Sequence, residues 1–268
     1  MFNALLAAAI AAAPPATPAA LPPTMDDTHP AMFMVRDADT TVYIFGTFHA
    51  LDGHGEWFKD HVRDAFESSN ELVLETLIPE GPVKLKASFR GPPPSLTPSA
   101  SFLATTRLAI NAGRSQGMQV GNGADNVLRH AAEAEGKPVA GLETLEAQLT
   151  MFNRMPATRS VDPKPGDPVE LHQPEQDLSS AMASMQAAWK HGDQSVFVNM
   201  LTQLEQAAPD TYRIMFTERN TRWADWIAGR MQTPGTVFVA VGAGHLAGQQ
   251  SVIEQLKALK LTATRVPY

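Results

Sequence analysis

Unbroken apolar runs alternate with amphipathic stretches along this chain. Thr41–Phe45 is continuous, β-branched and aromatic, the mark of a strand covered on both faces. Trp57–Ser68 instead puts Trp57, Phe58, Val62, Ala65 and Phe66 on one side of a helix. Glu71–Leu74 predicts a second buried strand and Lys137–Leu142 a third. The last unit is a strand over Thr236–Val241, a Gly-rich turn, a helix over Leu246–Leu259 and a strand over Thr262–Val266. Helices are predicted over Ser99–Asn111 and over Asp125–Glu135, the second capped by Asp125 and ended by Gly136. Glu175–Met231 is largely helical, with a break at Gly192-Asp193. This order predicts an α/β fold: a mainly parallel sheet flanked by helices, with a helical insertion between two strand–turn–His units. The Pro-rich stretches Pro79–Pro98 and Pro156–Pro174 are excursions from a single domain over residues 32–268, the first a candidate lid.

Ahead of that domain, Ala4–Ala13 is almost all Ala, Leu and Ile and is followed by Pro/Ala/Thr-rich sequence. The run suits a signal-peptide core and is too short to span a bilayer, although Met1-Phe2-Asn3 carries no basic residue. Residues 1–31 are therefore expected to be a signal peptide or a disordered leader. The expected location is periplasmic or secreted, with the cytoplasm as the alternative. No later segment is apolar enough for a membrane span. A net charge of −7 without any Lys/Arg run argues against nucleic acid as a partner. The absence of cysteine excludes disulfides, Cys-ligated zinc and a thiol nucleophile. Neither a phosphate-binding glycine loop nor a Gly-x-Ser-x-Gly elbow occurs.

Candidate chemistry sits at strand ends. Gly46-Thr47-Phe48-His49 and Gly242-Ala243-Gly244-His245 each follow a buried strand directly, with the histidine three residues after a glycine. Glu75 ends Leu72-Val73-Leu74, and Glu143 follows Val139–Leu142. In an open parallel sheet, loops at the carboxyl ends of the strands face one crevice, so the four side chains are expected along one edge. Imidazole and carboxylate suit a divalent ion such as Zn²⁺, Mn²⁺, Co²⁺ or Fe²⁺, and also suit metal-free acid–base work. On the helix bearing Thr217–Trp223, Arg219 falls in the middle of an apolar face made by Met215, Phe216, Trp223, Trp226 and Ile227. A buried guanidinium needs an anion, and Glu75, Glu143 or a substrate oxygen are the candidates. Asn220 beside it is placed to join the same site. Asp52 and His54 are weaker candidates for orienting a ligand imidazole.

Tyr43–His49, Leu72–Glu75, Gly136–Thr144, Glu218-Arg219-Asn220 and Val239–Leu246 together resemble the TraB/PrgY/GumN family, over roughly Tyr43–Tyr268. That family is similar to the Tiki proteases, which bind a divalent metal through paired Gly-x-x-His motifs and acidic residues. The resemblance implies a metal-dependent, peptidase-like hydrolase of a peptide or protein substrate. His49, His245, Glu75 and Glu143 would be the metal ligands, with Mn, Co or Zn as the ion. One glutamate, Glu75 by preference, would be the general base, and Arg219 with Asn220 would complete the catalytic set. Two other readings stay open. One is a non-catalytic peptide-binding module using an adaptable groove near Met182, Met185 and Met200. The other is a metal-free, esterase-like hydrolase built on a His/Glu pair.

Overall fold

The computed structural model describes residues 28–53, 57–77, 110–156 and 174–268. Residues 1–27 of the leader, all of Pro79–Pro98 and most of Pro156–Pro174 lie outside them, as does His54. The strands are β1 Met32–Arg36, β2 Thr40–Thr47, β3 Glu71–Thr76, β4 Val139–Glu143, β5 Gly235–Gly242 and β6 Thr264–Arg265. Helix α1 covers Asp60–Glu67, α2 Ala124–Ala134, α3 Leu145–Arg154, α4 Pro174–Lys190, α5 Ser195–Ala207, α6 Pro209–Tyr212, α7 Glu218–Arg230 and α8 Val252–Ala258.

One sheet has the order β4-β3-β5-β2-β1-β6. Its four strands β4, β3, β5 and β2 are parallel, which gives the expected mainly parallel core. β1 and β6 add antiparallel pairs at one side. Covered strands carry the apolar runs that flagged them. Val42 and Ile44 join Val237, Val239 and Trp223 on one face, while Phe45 joins Leu72, Phe238 and Trp189 on the other.

Several boundaries differ from expectation. The helix expected over Leu246–Leu259 splits into a 3₁₀ turn at Ala243–Leu246 and the shorter α8, because Gly248 takes φ 82° between them. The terminal strand shortens to β6, which pairs with β1. Of the helix expected over Ser99–Asn111, the described part is helical from residue 110 to residue 115. The break at Gly192-Asp193 is present: Gly192 has φ 62° and parts α4 from α5. Met182, Met185 and Met200 are buried in the core rather than lining an open groove. Among the described residues no helix is long and apolar enough to cross a membrane.

Candidate functional site

Strand register brings the predicted residues to one height. Thr47 at the end of β2 pairs with Gly242 at the end of β5. Leu74 pairs with Ala240, so Glu75 stands beside the end of β5, and Thr76 pairs with Glu143. His49 and His245 then follow their strands by two and three residues. Gly242 is where three side chains converge. A Cβ added there would lie 3.1 Å from Glu75 Oε1 and 3.7 Å from both His49 Nε2 and His245 Cδ2.

Arg219 is the centre of the polar network and is fully buried. Its Nη2 donates to Glu75 Oε2 (3.0 Å), its Nε to both oxygens of Glu143 (3.1 and 3.0 Å), and its Nη1 to His245 Nε2 (3.2 Å). The expected partner, Glu75 or Glu143, is thus both at once. A π-helical turn at Arg213–Thr217 runs into α7 and sets the phase that turns Arg219 inward. Glu218 beside it stays outside, paired with Arg213 and Arg154. The guanidinium also lies 4.4 Å from the Trp223 ring centroid, a cation–π contact that substitutes for lost water.

The protonation of His245 follows from its partners. A guanidinium can only donate, so Nε2 of His245 accepts and Nδ1 carries the hydrogen. That hydrogen goes to Asn220 Oδ1, and Asn220 Nδ2 donates to Gln250 O (2.6 Å). Burial between Phe216 and Trp223, with Arg219 alongside, pushes the imidazole well below its usual range and keeps it neutral despite the Glu75 carboxylate. Burial also works against ionised Glu75, but the Arg219 guanidinium overcomes it, aided by the Gly242 N–H that donates to Oε1 (2.6 Å). The net result lowers the Glu75 carboxyl to about 2.

One placement corrects the sequence reading and two add to it. Asp125 does not cap α2, whose N-cap is Gly123; its Oδ1 instead lies 3.1 Å from His49 Nδ1. Asp52 is held by Lys190 Nζ (3.0 Å) and Gln186 Nε2 (2.8 Å) on α4. Arg222, on the exposed side of α7, donates to Glu143 Oε1 (3.0 Å) and was not anticipated. An acidic residue in the first turn of a helix reads as a cap or dipole partner in sequence, so nothing local could have tied Asp125 to a histidine 76 positions away.

The donor set divides when tested for a divalent ion. His49 Nε2 and Glu75 Oε1 lie around Gly242, where His245 shows Cδ2 while its Nε2 accepts from Arg219, so His245 would have to exchange that bond to hold an ion; second-layer oxygens hold both imidazoles through Nδ1. Glu143 is different, since Arg219 and Arg222 take both of its oxygens. Among the described residues no group of three His, Asp or Glu side chains stands as an ion-holding cluster. The positive charge between the two glutamates here is Arg219.

The His/Glu/Arg network lies at the carboxyl ends of the parallel strands, the edge where open α/β sheets place their ligands. The profile of the TraB/PrgY/gumN family matches residues 31–90 and 83–265, so this chain belongs to that family. No curated protein and no solved structure matches it.

Proposed function

We propose that this protein is a hydrolase of peptide-type acyl bonds that takes up a divalent cation between His49, His245 and Glu75. The observation that supports this reading is the paired orientation of the imidazoles. Asp125 holds His49 through Nδ1, Asn220 holds His245 through Nδ1, and both rings come to Gly242 beside Glu75. Their protonation states suit a cation already, with His245 neutral and Glu75 ionised at neutral pH, so uptake needs no proton release from either. Charge points the same way. Asp125, Glu75 and Glu143 give three carboxylates against the two guanidinium groups of Arg219 and Arg222, leaving one surplus negative charge.

A cation held there would polarise a scissile carbonyl and acidify a bound water. Arg219, braced by Glu143, keeps Glu75 in place. Glu75 is an anionic anchor rather than the general base, because a carboxyl held at about 2 accepts protons poorly at neutral pH. The position of Arg219 favours one further reading, a metal-free hydrolase in which His49, backed by Asp125, accepts the proton from water.

Calorimetric titration of the chelator-stripped full chain with Mn²⁺, Co²⁺ and Zn²⁺, together with a peptide-library cleavage assay, tests the proposal. We expect saturable uptake and ion-dependent cleavage, both lost in His49→Ala and in His245→Ala. Cleavage that persists in chelator but fails in His49→Ala supports the metal-free form. Peptide binding without cleavage supports a sequestering module, and no uptake, cleavage or binding ends the hydrolase reading.

A further inference from the structure

The loop carrying His49 is stitched to the segment ahead of α2. Leu51 and Gln119 exchange N–H···O bonds (3.3 and 2.8 Å), and Ala124 N–H donates to Phe48 O (2.9 Å). Asn122 Nδ2 adds a bond to Leu51 O (3.4 Å). Gly123 permits this approach, since a Cβ there would run into the His49 carbonyl. On its other side the loop is tied to α4 through Asp52. The first turn of α2 is therefore fixed against the His49 ring, with Asp125 Oδ1 3.1 Å from Nδ1.

We infer that Asp125 is the positioning residue of His49. Its carboxylate accepts the Nδ1–H, which selects one tautomer, fixes the ring plane and presents the Nε2 lone pair toward Gly242 beside Glu75. Asn220 does the same for His245 from another element. A plain surface ion pair would need no such backbone stitching, and neither partner here is fully exposed: the side chains are 17% and 31% accessible. Only the consequence for cation uptake rests on the proposed hydrolase site; the tautomer of His49 does not.

The test uses the ¹⁵N-labelled full chain with Asp125→Ala and Asp125→Asn. Long-range ¹H–¹⁵N spectra report the imidazole tautomers, and calorimetry reports Co²⁺ affinity. We expect the Nδ1–H form of His49 in the parent, a shift toward Nε2–H in Asp125→Ala, and retention of Nδ1–H in Asp125→Asn, whose Oδ1 still accepts. Co²⁺ affinity should fall roughly 10–100-fold in Asp125→Ala and largely recover in Asp125→Asn. An unchanged tautomer in Asp125→Ala overturns the inference, whatever the cation does. If the parent takes up no Co²⁺, the cation reading fails alone, and a tautomer shift in Asp125→Ala still supports Asp125.

Discussion

His49 and His245 follow neighbouring parallel strands, three residues after a glycine, yet one ring is partly accessible and the other is sealed. His245 lies between Phe216 and Trp223, takes a hydrogen bond from Arg219 and gives one to Asn220. His49 is partly accessible on a stitched loop and leans on a carboxylate. The same local motif thus builds two environments, because the long-range partner rather than the turn decides burial and charge. Even the glycines differ. Gly46 lets β2 approach Ala243 and Leu246 of the other unit, whereas Gly242 makes room for Glu75 and both rings.

The sealed half should fail first. Arg219→Met leaves Glu75 and Glu143 as buried carboxylates without their common cation and should cost about 3–5 kcal/mol in urea unfolding. Arg219→Lys should rescue little, since an ammonium cannot reproduce contacts to two carboxylates and an imidazole.

Acid should act on the same half. The folded-state value of Glu75 is depressed from 4.5 to about 2, so its contribution is complete above pH 4.5 and is lost as pH falls toward 2. That contribution is roughly 3 kcal/mol. His245 works in the same direction. Its folded-state value is lowered from 6.5, so the unfolded chain takes up the proton first and stability already declines as pH drops below 6.5. Unfolding in urea at stepped pH should show the early decline in the parent and its loss in His245→Gln.

Replacement of the rings themselves sharpens the contrast. His245→Ala opens a cavity between two aromatic rings and should destabilise by about 2 kcal/mol more than His49→Ala. Equal losses would mean that the two units are buried alike. The smallest effect is expected at the glycines. Gly242→Ala should cost about 1 kcal/mol by crowding the Glu75 carboxylate, and Gly46→Ala a similar amount by pressing on Ala243. Thermal melts check both, and only Gly242→Ala should also disturb the imidazole spectra of both histidines.

Parallel strands were legible because β2, β3 and β5 are apolar on both faces, and polar residues at their ends stood out against that background. The convergence of His49, His245 and Glu75 followed from topology alone. β1 was missed because Met32–Arg36 is a short antiparallel strand with one face less covered. Helix α3 was missed although Thr144 caps it and Leu145, Leu149 and Phe152 recur at helical spacing. The π-helical turn carries no sequence mark, so the inward phase of Arg219 was visible only as an arginine on an apolar face. Asp125 and Arg222 escaped because their partners lie 76 and 79 residues away in the chain, a separation that periodicity does not report.

Arg219 has a consequence for how the protein matures. A guanidinium embedded between two glutamates supplies, from the polypeptide itself, the positive charge that such a cluster would otherwise borrow from solution. Folding therefore needs no outside cation at this network, and a chelator present during refolding should leave the yield of native protein unaltered.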